Sequence, residues 1–291
     1  MMNLTLLQMS EENHPSPTDN ATSQQGTTEP QTKQRLIIGI FADVWLLNGT
    51  IIRKTPRKND VNNPEAMLPI YREALIYNIL GPHPRIAECL TLNQHKDNIK
   101  HIDIKYYPHS DLTSYCKKHS ISPTLRSKWF RQILESIILI HSFGVIHSDL
   151  ALRQFLVDNN FDLRLGDFNS SQCPDNPALG YEKASHCLPR DYELPNTEAS
   201  DIFALGSTLY ELVCGNAPYS ELNPVPESND PEAIRAHVRR QHAVIDYVIE
   251  ERYKAREFAD VSGVWNGHII LGCWKGEFAT AKEVLDTFLE S

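Results

Sequence analysis

The chain has 291 residues, 41% of them hydrophobic, enough for a sizeable core in one large domain or two small ones. Its formal net charge of −9 argues against non-specific binding to nucleic acid or to an anionic membrane surface. No run approaches the roughly 18 apolar residues of a membrane span. No Lys or Arg precedes Lys33, which argues against a secretory signal. The six cysteines form no C-x-x-C pair and have no histidines at zinc spacing, so they read as reduced thiols of an intracellular protein, cytoplasmic or nucleocytoplasmic. Asn169-Ser170-Ser171 is then a chance match to a glycosylation sequon.

Residues 10–33 are rich in Ser, Thr, Asn, Gln and Pro and cannot bury enough surface to offset their ordering entropy, so residues 1–33 are expected to be a disordered leader. A β-rich region begins at Leu36–Ile40 and continues in Val44–Leu47. Asn48-Gly49 signals a hairpin, with the return strand over Thr50–Lys54. A helix is predicted from about Pro69 to Leu80, closed by Gly81, with Ile70, Glu73, Tyr77 and Leu80 on one face. Asp103–Tyr107 reads as another strand. From Asp111 the pattern turns helical. Trp129–Phe143 is expected to be a long buried helix. Another, carrying Ile202, Leu205, Leu209 and Leu212, is capped by Asn196 or Thr197 and stops at Gly215. A strand-rich third followed by a helical remainder predicts two lobes with a cleft between them.

The stretch from His147 to Asp167 carries the chemistry. Asp149 and Asp167 stand 18 residues apart, each at the end of a short apolar run, and Gln154 follows the first by five. One carboxylate to take a hydroxyl proton, with an amide and a second carboxylate to hold metal ions, is the layout of a phosphoryl-transfer site.

These residues resemble the H-R-D-L-x-x-x-x-N and D-F-G motifs of eukaryotic protein kinases, and from about Leu36 onward the chain looks like a protein-kinase domain. Ile37–Val44 is similar to the glycine-rich loop but keeps only Gly39 and Val44. Lys54 ends the following strand like the lysine of V-A-I-K, and Glu73 lies on the next helix. The resemblance implies that these two form an ion pair positioning the α- and β-phosphates. Ile104–Leu112 is similar to the inter-lobe hinge, with Ile104 behind the adenine and main-chain groups of Lys105 to Tyr107 along its edge. Asp149 is then the catalytic base, with His147 packing inside the loop, and Asp167 and Gln154 the metal ligands. Gln154 replaces asparagine on an arm longer by about 1.5 Å, and hard Mg²⁺ tolerates little error in ligand distance. Ser148 replaces the arginine that normally receives an activation-loop phosphate. Arg153 supplies the γ-phosphate cation in a D-L-A-x-R arrangement that resembles tyrosine kinases. Asn169 stands for the glycine of D-F-G.

Ser200–Gly206, S-D-I-F-A-L-G, resembles a kinase C-lobe motif in which Asp201 would brace the catalytic loop. Leu188-Pro189-Arg190 replaces A-P-E, and Ala281 stands where that motif's partner arginine is expected. A reversed pair of Arg190 with Glu277 or Glu283 and unrelated surface charges are both open. The resemblance thus implies a two-lobed α+β fold, with a leader over 1–33, an N-lobe over 34–105, and hinge and C-lobe over 106–291. It implies an ATP- and Mg²⁺-dependent protein kinase acting on a protein hydroxyl. The alternative, resting on the eroded glycine loop, Ser148, Gln154 and Asn169, is a catalytically impaired pseudokinase acting as a nucleotide-binding scaffold. The substrate and the oligomeric state are not written in these motifs.

Overall fold

A computed structural model describes residues 32–38, 42–57, 63–92, 99–222 and 231–291. The expected leader, apart from Thr32 and Lys33, lies outside these residues, as does Gly39. The Asn48-Gly49 signal is realised in a short loop where both residues take left-handed φ angles of 49° and 69°. It joins β2 (Asp43–Leu47) to β3 (Ile51–Thr55), antiparallel from Leu47↔Ile51 to Asp43↔Thr55. β1 (Lys33–Ile38) flanks β2, with a bulge between Arg35 and Ile37, and β4 (Ile102–Lys105) flanks β3, giving the sheet order β1-β2-β3-β4. The first strand starts at Lys33, one residue inside the expected leader, and β4 ends at Lys105 rather than Tyr107. Helix α1 (Leu68–Leu80) follows β3 and ends at Gly81, whose φ is 63°. Its Ile70, Glu73, Tyr77 and Leu80 are all buried, as the three-and-four spacing requires.

The chain crosses from this strand-rich lobe to the helical one through residues 106–111. Asp111 caps α2 (Leu112–Lys118) by accepting the Ser114 N–H at 2.8 Å. The long helix α3 spans Pro123–Ser142, starting at Pro123 rather than Trp129 because Ser122 caps it and proline suits its first turn. A short antiparallel ribbon, β5 (Phe155–Val157) with β6 (Leu163–Leu165), follows the Asp149 loop and delivers the chain to Asp167. In α4 (Glu198–Cys214) the Thr197 N–H donates to Ser200 Oγ at 3.2 Å, and Gly215 (φ 81°) closes the helix. It crosses α6 (Gly267–Lys275) closely at Gly206, where a Cβ would stand 2.8 Å from Cys273 Cβ. Helix α5 (Pro231–Lys254) lies between them in sequence. In α7 (Ala281–Glu290) Phe288 stacks on Phe130 of α3 at 4.7 Å. All six cysteines are free, and among the described residues no helix is long and apolar enough to cross a membrane.

Candidate active site

Strand alternation sorts the two cations at the end of β3. Neighbouring side chains point to opposite faces of a sheet. Arg53 therefore takes one face, where it pairs with Asp103 on β4 through two bonds of 2.7 Å. Lys54 takes the other, toward α1. Its Nζ lies 2.8 and 3.0 Å from the two Glu73 oxygens and 2.6 Å from Asp167 Oδ1. Three elements far apart in sequence thus meet at one ammonium. Burial opposes the charge on Lys54, but Asp167 and Glu73 outweigh it and raise the pKa. Burial likewise acts upward on Asp167, yet Lys54 holds that carboxyl below the usual range. On fully buried Glu73 burial prevails over Lys54 and pushes the carboxyl up to about 7.

Asp149 is held on both oxygens. Arg153 Nη2 reaches Oδ1 at 2.5 Å, and the Gln154 side-chain amide reaches Oδ2 at 2.8 Å and the Asp149 carbonyl at 3.0 Å. The extra length of glutamine therefore brings its NH₂ onto the carboxylate while leaving its own oxygen for another partner. Burial raises the Asp149 pKa, with Arg153 acting against it. Ser148 and Asp167 both take left-handed backbone angles, φ 64° and 63°, uncommon for residues with a Cβ and typical of sites that the surrounding structure over-determines.

That surrounding structure is visible. Asp201 on α4 accepts the N–H groups of His147 (2.7 Å) and Ser148 (3.1 Å) and lies 3.0 Å from His141 Nε2. His147 is buried, with Nε2 3.1 Å from the Gly166 carbonyl and its ring against Phe168. Phe168 also meets Tyr77 of α1 edge-on at 5.4 Å. Asn169 donates to Asp167 Oδ1 at 2.9 Å. Arg190 does not pair with Glu277 or Glu283. It bonds Glu182 at 2.9 Å and Asn196 at 2.7 Å, so the charge of this segment is closed locally rather than against a C-terminal helix.

The family model described as protein kinase domain matches residues 48–261. The chain belongs to the protein kinase family. It is 29% identical over 172 residues to NUAK family SNF1-like kinase 1 of Homo sapiens, covering 57% of this chain and 26% of that protein. It is 29% identical over 166 residues to serine/threonine-protein kinase SIK1 of Rattus norvegicus, covering 53% and 20%, and 26% identical over 159 residues to protein kinase C eta type of Mus musculus, covering 52% and 23%. This protein kinase chain therefore spans about a quarter of the length of the curated relatives it matches.

Of the residues expected around a nucleotide, Gly39 lies outside the described residues, and Lys54 and Glu73 meet as described above. Val44 lies on β2, and Ile104 is buried on β4. The expectation for Lys105 and Tyr106 narrows, because their N–H groups are spent inside the protein, on the Glu88 carbonyl at 2.9 Å and the Thr50 carbonyl at 2.8 Å. A role at an adenine edge thus falls to carbonyl groups and to the Tyr107 main chain. For a metal ion, the expected donors are oxygens: the Asp167 oxygen not bonded to Lys54 and the Gln154 amide oxygen. That suits Mg²⁺, which takes one or two carboxylates and completes its shell with water and phosphate. Among the described residues no cluster of three His, Cys, Asp or Glu side chains could hold a metal alone.

Two residues escaped the sequence reading. Buried Arg72, beside Glu73 on α1, donates to the carbonyls of Ser171 and, at 2.5 Å, Pro177, tying the helix to the segment after Asp167. The only hint was an arginine inside an otherwise buried helical stretch. Lys183 feels burial and Arg153, which lower its pKa, against Asp149, which raises it. No local pattern marks it.

Proposed function

We propose that this chain is an ATP- and Mg²⁺-dependent protein kinase that transfers the γ-phosphate of ATP to a hydroxyl of a protein substrate. The observation that carries the reading is Lys54 held between Glu73 and Asp167, with Asp149 fixed on the adjoining loop. Lys54 anchors the α- and β-phosphates and Glu73 keeps it in place. Gly39 and Val44 cover the nucleotide, and Ile104 with the main chain from Lys105 to Tyr107 flanks the adenine. Asp149 accepts the hydroxyl proton as the substrate oxygen bonds to the γ-phosphorus and the bond to the β-phosphate oxygen breaks, releasing ADP. Its raised pKa brings it nearer the operating pH of a general base. Arg153 balances charge on the transferred group. Asp167 and the Gln154 oxygen would hold Mg²⁺, which when bound neutralises charge on the phosphates. Ser/Thr kinases among the relatives support serine or threonine as the acceptor, although D-L-A-x-R resembles tyrosine kinases.

Turnover of ATP by purified protein tests this. Asp149→Asn should retain nucleotide binding and lower transfer by roughly 10²–10⁴-fold. Asp167→Asn should weaken Mg²⁺-dependent nucleotide binding itself. Gln154→Asn, which withdraws the amide from Asp149 Oδ2, should preserve or raise turnover. ATP binding with no transfer to any acceptor would favour the scaffold, a reading that the doubly tethered Asp149 supports beside the eroded glycine loop, Ser148, Gln154 and Asn169. Failure to bind nucleotide at all would overturn both.

A further inference from the structure

Between Asp167 and α4 the chain carries a buried polar network. Arg190 Nη2 donates to Glu182 Oε2 at 2.9 Å and to Asn196 Oδ1 at 2.7 Å. The Gln172 side-chain amide donates to the Asn196 carbonyl at 2.9 Å. Gln172 is itself paired through its main-chain N–H and carbonyl with Ile146, the residue before His147. Asn196 stands just ahead of Thr197, the cap of α4. Three parts of the helical lobe therefore meet here: the chain entering the Asp149 loop, the segment after Asp167, and the start of α4.

Four atoms of these same side chains are buried and have no hydrogen-bond partner among the described residues: Gln172 Oε1, Glu182 Oε1, Arg190 Nε and Asn196 Nδ2. Each belongs to a group whose other end is already bonded, so the bonds just given hold all four close together. Those bonds also fix the amide orientations. Arg190 requires an oxygen of Asn196, and the Asn196 carbonyl requires the nitrogen of Gln172, so an amide flip repairs nothing. A buried polar atom left unpaired costs the desolvation of its group, and here that cost recurs within one network. The Cys187 thiol also lies beside Glu182, but it is a weak donor and hydrogen-bonds the Leu188 carbonyl at 3.8 Å. The unpaired atoms are complementary, two donors and two acceptors. A cation would satisfy only the oxygens and an anion only the N–H groups. Water does both.

We propose that Gln172, Glu182, Arg190 and Asn196 enclose an internal water site that links the segment after Asp167 to the start of α4. A buried water makes about three hydrogen bonds, so these atoms call for about one or two molecules. Water accepts from Arg190 Nε and Asn196 Nδ2 and donates to Glu182 Oε1 and Gln172 Oε1. Its route from solvent is the cleft of about 350 Å³ beside Glu182, whose walls carry the exposed rings of Tyr181 and Tyr247. Arg190 is engaged here and not on Glu277 or Glu283, so this hydrated network fastens the end of the segment to α4. The site stands independently of phosphoryl transfer.

A high-resolution crystal structure of the full chain tests the site directly. Water density should lie about 2.7–3.2 Å from at least three of the unpaired atoms. Oxygen-17 magnetic relaxation dispersion on the same protein in solution should count that water among the long-lived ones. Gln172→Met keeps the length of the side chain but removes its oxygen and its amide. It should lower the long-lived signal by about one water molecule. It should also quicken amide exchange across residues 180–196 and leave exchange in β1–β4 unchanged. Arg131→Gln alters a side chain that is 57% exposed on α3 and, as the control, should move neither readout. No density at the site in wild type, or a structure in which Asn196 Nδ2 bonds Glu182 directly, would overturn the proposal. A peak that strengthens when bromide is added would be an anion and would overturn it as well. So would a long-lived signal that Gln172→Met leaves at the wild-type level. If Gln172→Met does not fold, the wild-type density decides alone.

Discussion

Replacing Lys54 by methionine should destabilise the protein by about 2 kcal/mol near pH 6 and by about 3–5 kcal/mol near pH 8.5. The Lys54 side chain is 13% exposed and that of Glu73 is 0% exposed, so the substitution strands a buried carboxyl group whose ionisation is then opposed with nothing to balance it. Methionine preserves most of the stem volume, and little of the loss comes from a cavity. Near pH 6 the cost is that of charge-assisted hydrogen bonds to Glu73 and Asp167, about 1.5–3 kcal/mol net. The rise with pH comes from Glu73. Burial already pushes its pKa up to about 7 against the pull of Lys54, and without Lys54 both burial and Asp167 act upward. A carboxyl whose folded pKa lies above its unfolded value holds an extra proton in the fold. Its contribution is full at low pH and lost as pH rises through the folded pKa. The variant goes on losing stability above pH 7, where wild type has finished, by about 1.4 kcal/mol per pH unit. Urea denaturation of both proteins at the two pH values measures the difference. At about 2–4 °C per kcal/mol for a body of this size, melting curves should follow. A penalty that stays constant or shrinks as pH rises would refute the reasoning.

Arg72→Ala should cost about 2–4 kcal/mol, since it removes a buried guanidinium shared by two carbonyls; amide exchange should quicken around residues 170–178, and unchanged protection there would count against the tie. A double-mutant cycle on Glu182 and Arg190, whose side chains are 0% and 12% exposed, should give about 1–3 kcal/mol of coupling, whereas cycles of Arg190 with Glu277 or Glu283 should give none; the reverse pattern would restore the pairing that the structure replaces. His186 is buried, and burial with Arg153 and Lys183 pushes its pKa down to about 3. Its folded value lies below its unfolded one, so its contribution is present above about pH 6.5 and lost as pH falls toward 3, at up to about 1.4 kcal/mol per unit. His186→Gln should flatten the acid limb of urea midpoint against pH, and an unchanged limb would assign that loss to other groups.

Several parts of this kinase were legible in its sequence because their causes are local. Asn48-Gly49 set the hairpin, Gly81 and Gly215 ended their helices, and the spacing of Ile70, Glu73, Tyr77 and Leu80 placed one face of α1 inward. The order of Lys54, Glu73, Asp149 and Asp167 along the chain pointed to the protein kinase family that the family model matches. Where an element depended on its cap, as α3 did on Ser122, apolar periodicity alone started it too late. The partners of the polar side chains were decided only by the tertiary structure. Arg190 chose Glu182 over Glu277 and Glu283, Arg72 found two carbonyls about a hundred residues away, and the longer arm of Gln154 carried its amide onto Asp149. A charged or amide group bonds whichever complementary group comes within about 3 Å. That distance is fixed by how helices and loops remote in sequence pack, and neither periodicity nor motif spacing encodes it.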